Sequence, residues 1–360
     1  MDVEKKRDLF CETFLKDKEI YVKNTKEGAN FINWIIDVFV DDKLLKNIDG
    51  FFVEKWWKRK NNIFFKWDLK IWVDHRKLIK PKKKIFLEDI LKVANEVFSK
   101  SKSIPPFHIN YKKIDTFFVV AWIQSISNVL FEERQYDNNW YYISQPVIRI
   151  KYLDNISWDK GNGISFVNFT VLKVWVTLSE FLKKVDESIW FLSKLWLYAW
   201  NVSLRIRKDS PVWNNRKMKN IIIDIYYWNL QIGDAVFIYD FEQKTRTSLT
   251  VADIWFGLER IIYARNRIHN YFEQFWLNFK RYSETEVEVV KTLSLIFFWK
   301  EWMLTQNQKN QIKKLYKKLD KSKNYFPLID YSIEYWNSFY NNSKLKAIYD
   351  FFINLENLSN

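Results

Sequence analysis

Ala252-Asp253-Ile254-Trp255-Phe256-Gly257-Leu258-Glu259-Arg260-Ile261 sets two acids, a glycine and an arginine at the entrance to a stretch whose apolar spacing predicts a helix over 258–280. Gly-Leu-Glu-Arg alone recurs by chance in unrelated helices, so its meaning depends on what surrounds it. Upstream, from 115 to 241, the apolar runs are short and rich in β-branched and aromatic residues, which is the pattern of strands; the clearest are 117–121, 141–152, 164–174, 202–207, 221–227 and 235–241. Several links between them are too short for a crossover helix, so mostly antiparallel pairing is expected. Leu178, Phe181, Leu182, Val185, Ile189 and Leu192 fall on one side of a helix expected over 178–195.

Further out, Leu87, Ile90, Leu91, Ala94, Val97 and Phe98 mark an amphipathic helix over 85–99, stopped by Ile104-Pro105-Pro106. Before it, Lys80-Pro81-Lys82-Lys83-Lys84 reads as a boundary, because Pro81 breaks local structure and the lysines stay solvated. Most of 285–360 reads as helix. Within 285–360, Ile312, Leu315, Tyr316 and Leu319 make one face of a basic segment at 311–323. Lys313, Lys314, Lys317, Lys318, Lys321 and Lys323 make its other faces. A solvated helix face accounts for these lysines, and so does a surface for RNA.

Composition narrows the function classes. The net charge is +15 over 360 residues, which suits a polyanionic partner, although a Lys-rich composition from an AT-rich genome gives the same balance. Cys11 is the one cysteine, so neither an intrachain disulfide nor a cysteine-based zinc site is open to the chain. His75, His108 and His269 have no metal-ligand spacing, and no metal site is expected. The apolar runs are too short to span a bilayer and no charged-then-apolar leader is evident, so a cytoplasmic protein is expected. The usage of tryptophan is anomalous: 19 Trp against 6 Gly. Together the two match the roughly 25 glycines that ordinary usage of about 7% would give. Trp also stands at turn-like positions, as in Asn138-Asn139-Trp140 and Ser157-Trp158-Asp159. That is the pattern expected if one stop-type codon, written as Trp, stands for Gly; genuine Trp enrichment is the alternative.

With these segments in order, the chain resembles class II aminoacyl-tRNA synthetases, and alanyl-tRNA synthetase above all. The segment at 252–261 is similar to motif 3, Asp-Thr-Gly-Met-Gly-Leu-Glu-Arg-Leu, with Trp255 in a Gly place. Ser144-Gln145-Pro146-Val147-Ile148-Arg149 resembles motif 2, Ser-Gln-x-x-Ile-Arg, and Ile164-Ser165-Phe166 opens its return strand. Ile223-Asp224-Ile225-Tyr226-Tyr227, Gln231-Ile232-Gly233-Asp234-Ala235-Val236-Phe237 and Phe117–Gln124 are weaker matches. Residues 85 to 265 carry the resemblance, which covers the aminoacylation half of the family and not its editing domain. It implies an α+β fold, an antiparallel sheet flanked by helices and followed by a helical region, with an extension over 1–83, a catalytic domain over 84–270 and a helical domain over 271–360. It implies ATP-dependent activation of an amino acid, alanine first, and transfer to tRNA. The implied roles are Arg149 on the α-phosphate, Arg260 on the γ-phosphate, Phe166 on adenine and Gly257 giving room to the nucleotide. Asp253 is implied on the substrate amino group, with Asp234 and Asp224 as further candidates for substrate or metal contacts. Mg²⁺ is implied on phosphate oxygens, and Lys313, Lys314, Lys317 and Lys318 on RNA. The motif 2 loop lacks the family's His, and Val167-Asn168 replaces its Glu. A paralogue that charges another acceptor, or a non-catalytic RNA-binding module, would carry the same motifs.

Overall fold

The structure is a computed structural model that describes residues 57–60, 63–66, 83–107, 118–126, 137–156, 161–197, 201–213, 216–228, 230–241, 249–266, 268, 271–274, 281–298 and 304–340. His75, His108, His269, Cys11, Phe117 and Trp158 lie outside the described residues. The strands are β1 (Trp57–Lys60), β2 (Ile63–Lys66), β3 (Lys102–Ser103), β4 (Tyr141–Ile148), β5 (Ser165–Val174), β6 (Val202–Asp209), β7 (Val212–Trp213), β8 (Arg216–Lys217), β9 (Lys219–Tyr227), β10 (Leu230–Phe241) and β11 (Leu249–Gly257). The helices are α1 (Leu87–Val97), α2 (Leu178–Lys194), α3 (Leu258–Asn266), α4 (Glu284–Phe297), α5 (Gln306–Tyr316) and α6 (Phe326–Tyr340). Among the described residues one nine-stranded sheet runs β1-β2-β6-β9-β10-β11-β5-β4-β3, and β7 and β8 form a separate pair. Every neighbour pairs antiparallel except β3 with β4. The expected α+β architecture is therefore present, and two strands from the first 83 residues extend the sheet beside β6.

Alternation along the strands explains the two faces. Val167, Phe169 and Val171 of β5 lie beside Ala252, Ile254 and Phe256 of β11, Ala235 and Phe237 of β10, Ile221, Ile223 and Ile225 of β9, and Leu204 and Ile206 of β6, all buried. Phe98 beyond α1 and Phe191 of α2 close on Phe169 at centroid distances of 5.6 and 5.4 Å. The helix starts have their own local causes. Thr177 with Glu180, Ser283 with Glu286 and Thr305 with Gln308 each form a reciprocal capping box at α2, α4 and α5. Asn266 ends α3 by bonding both backbone groups of Ile85, at 2.8 and 2.7 Å, which fixes the entry to α1.

Several expectations need correction. Residues 118–121 are not a strand. Gln124 Oε1 accepts from the Val120 and Ala121 amides at 2.8 and 3.4 Å, and a 3-10 turn at Trp122–Ile126 follows. The strand expected over 141–152 ends at Ile148, where its ladder with β5 runs out, and Ile150–Asn155 is a 3-10 helix. The helix expected over 258–280 stops at Asn266, with a 3-10 turn at Tyr271–Gln274. The basic segment is helical only to Tyr316; turns carry the rest. Its expected apolar face, Ile312, Leu315, Tyr316 and Leu319, is buried.

Candidate active site

The second face of the sheet carries a polar row. Thr170, Trp255, Asp234, Asp224 and Arg205 stand side by side in register on β5, β11, β10, β9 and β6. Asp253, two residues before Trp255, shares that face. β11 passes directly into α3 at Gly257–Leu258, which brings Arg260 into the first helical turn. A cavity of about 320 Å³ opens there, lined in part by Arg149, Phe166, Asp234, Trp255, Gly257 and Arg260. Residues singled out from four distant segments thus meet at one place. Asp253 and Asp224 lie on the same sheet face, while the four lysines do not line the cavity.

Arg149 is the first residue after β4. Its Nε donates to the Val120 carbonyl at 3.1 Å, and its guanidinium lies 4.9 Å from the Phe166 ring centre and 5.0 Å from that of Trp255. Those rings are 6.5 Å apart and tilted by 37°. Arg260 donates Nε to the Gly161 carbonyl at 3.1 Å, Nη1 to the Gln231 carbonyl at 3.1 Å and Nη2 to Asn162 Oδ1 at 2.8 Å. All three acceptors are neutral, so they orient the guanidinium and leave its charge uncancelled. Among the described residues neither Arg149 nor Arg260 has an ion-pair partner. Arg207 and Arg205, by contrast, close on Asp224 at 3.1 and 3.6 Å. Burial lowers the pKa of Arg149 and of Arg260.

The acids are the counterpart. Asp234 and Asp253 each bury an Oδ1 that has no hydrogen-bond partner among the described residues. Burial, and then the charges of Asp224 and Asp253, hold the Asp234 carboxyl well above the ordinary range. Burial raises Asp253 to about 7, with Arg149 pulling the other way.

Two buried glutamates fix the loop that holds Arg260. Glu288 of α4 accepts from the Ile164 and Ser165 amides at 2.8 and 2.5 Å and pairs with buried Lys291 at 2.9 Å. Glu259 accepts from the Val167 amide at 2.9 Å and from the Tyr335 hydroxyl of α6 at 2.6 Å. Val167 therefore packs into the core, and Asn168 turns to Thr170, whose Oγ1 donates to it at 2.7 Å. A Cβ on Gly257 would meet only Arg260 carbons at 3.6–3.7 Å, so packing within the chain does not demand glycine there. Gly233 is different: a Cβ would lie 2.2 Å from the Trp255 carbonyl oxygen, at a bulge in β10.

Sequence reasoning passed over Tyr152, Asn162, Arg207 and Tyr271 in the lining, and Glu288 and Tyr335 behind it. One signal was available: Gly161 and Gly163 are two of only 6 glycines. Lys313, Lys314, Lys317 and Lys318 are exposed at and beyond the end of α5, Lys318 lying 3.4 Å from Asp154; Lys323 is tied to Glu286 at 2.9 Å. Among the described residues no cluster of three or more His, Cys, Asp or Glu could hold a metal, and no helix is long and apolar enough to cross a membrane.

No protein-family model matches the chain, and no curated protein matches it. Among solved structures, PylSc, a pyrrolysyl tRNA synthetase of Desulfitobacterium hafniense, is similar at 10% identity over 53% of this chain and 73% of that one, with a TM-score of 0.38. At that identity and score the likeness identifies neither a reaction nor a substrate.

Proposed function

We propose that this chain activates an amino acid with ATP and transfers it to tRNA, as a class II aminoacyl-tRNA synthetase, with alanine as the amino acid. One observation carries the reading. Two arginines without ion-pair partners among the described residues, Arg149 and Arg260, face a cavity that also holds Asp234, whose Oδ1 has no hydrogen-bond partner among the described residues, with Asp253 beside it. Buried arginines and carboxyls held near one another without a direct ion pair fit a reaction in which a polyphosphate meets an ammonium group. Alanine rests on the motif likeness at 144–149 and 252–261.

In the first step a carboxylate oxygen of the amino acid attacks the α-phosphorus, the bond to the bridging oxygen breaks, and pyrophosphate leaves with the electron pair. In the second, a terminal ribose hydroxyl of tRNA attacks the acyl carbon and AMP leaves. Neither step needs much from the protein beyond alignment and neutralised charge. Arg149 holds the α-phosphate and Arg260 the γ-phosphate, the latter already aimed by Gly161, Asn162 and Gln231. Phe166 offers its ring to adenine, and Gly257 keeps the strand end clear. Asp253 and Asp234 take the amino group. Asp224, closed on Arg205 and Arg207, acts through them. Mg²⁺ would arrive with the nucleotide, held by phosphate oxygens and at most one or two carboxylates, since the described residues offer no larger cluster.

Amino-acid-dependent exchange of labelled pyrophosphate into ATP tests activation, and aminoacylation of total tRNA tests transfer. Both activities with alanine support the reading. Exchange without tRNA charging would mean a different acceptor. No exchange by folded protein with any amino acid would leave an RNA-binding module.

A further inference from the structure

We propose that positions 175, 196 and 228 carry glycine in the protein as its own ribosomes make it. The proposal stands on backbone geometry alone. Trp175, Trp196 and Trp228 have φ of 59°, 67° and 56°, and among the described residues every non-glycine residue with positive φ is a tryptophan. Asn and Asp are the residues that ordinarily share this region with Gly, and for a bulky side chain it is a true outlier. Each site is also one that the surrounding hydrogen bonds impose. At the end of α2 the Leu197 amide donates to the Leu192 carbonyl at 2.9 Å and the Trp196 amide to that of Ser193 at 3.0 Å. That is a Schellman ending with Trp196 at the position that glycine usually fills. Trp228 opens the two-residue link between β9 and β10, where Tyr227 pairs with Leu230, a turn type that demands positive φ. Trp175 lies between β5 and the cap of α2, its amide bonded to the Thr250 carbonyl at 2.8 Å. Trp175 and Trp196 also leave their indoles exposed, at 43% and 60%.

Not every tryptophan behaves this way. Trp336 is fully buried in α6 and its Nε1 donates to the Lys291 carbonyl at 2.9 Å, while Trp140 lies under Lys184 at 4.8 Å.

Mass-spectrometric sequencing of peptides from the protein purified from its source cells is the test. Glycine at positions 175, 196 and 228 is expected; tryptophan at these positions overturns the assignment. In recombinant protein, Trp175→Gly, Trp196→Gly and Trp228→Gly together should raise Tm, and Trp336→Gly should lower it. A fall in Tm for the triple variant would remove the strain on which the assignment rests.

Discussion

The two faces of the central sheet are built on opposite terms. On one, Val171, Phe169, Ile254, Ala235, Ile223 and Ile206 meet α1, α2 and one another in an apolar core. On the other, neutral acceptors orient Arg149 and Arg260, and Asp234 and Asp253 each bury an Oδ1 without a partner among the described residues. Such groups oppose folding unless something compensates them, and the apolar face supplies that stability.

Breaking each face should give opposite results. Arg260→Ala is expected to cut pyrophosphate exchange about a hundredfold or more, some 2–4 kcal/mol of transition-state stabilisation, in a protein that still folds. Phe169→Ala is expected to lower stability by about 3–5 kcal/mol, read by denaturant unfolding, without changing kcat of the folded fraction. An Arg260→Ala protein with wild-type exchange would end the distinction.

Asp253 sharpens the comparison through pH. Its folded-state pKa is about 7, above the ordinary 3.8, because burial disfavours the charged form. Between those values the folded state keeps a proton that the unfolded state has lost, so stability falls as pH rises through that window. Binding of an ammonium group needs the carboxylate, so KM for the amino acid should fall as pH rises through about 7. Asp253→Asn should flatten both profiles. A KM profile unchanged by that substitution would take Asp253 out of the amino-group site.

Smaller effects are expected away from the cavity. Replacing Lys313, Lys314, Lys317 and Lys318 with Ala should weaken tRNA binding and reduce its log–log salt slope by about 0.7–0.9 per lost phosphate contact, leaving exchange unchanged. An unaltered salt slope would show those lysines to be a solvated face and nothing more. Tyr335→Phe removes one of the bonds to Glu259 and should cost about 1 kcal/mol of stability. Its reach into exchange, measured as KM for ATP, tests whether the loop at 161–165 depends on α6.

The parts of the fold that could be read from sequence are those with local causes. The β-branched runs at 164–174 and 221–227 and the apolar stripe at 178–195 lie where the strands and helix form. Residues 118–121 have the composition of a strand, but a single side chain, Gln124, captures their amides. The candidate site divides likewise. Arg149, Phe166, Gly257 and Arg260 announced themselves through short motifs. Glu288 and Tyr335 could not, because their partners lie 124 and 76 residues away. The left-handed tryptophans were legible only as a composition, 19 Trp against 6 Gly, until the backbone gave three of them their φ values.

Amino-acid-dependent exchange of pyrophosphate into ATP, run on the chain carrying Trp175→Gly, Trp196→Gly, Trp228→Gly and Trp255→Gly, addresses the joint role of Arg149, Arg260 and the acids most directly. Exchange stimulated by alanine, and lost in Arg260→Ala, is the expected result. A folded protein of that sequence that catalyses no exchange with any amino acid would contradict it.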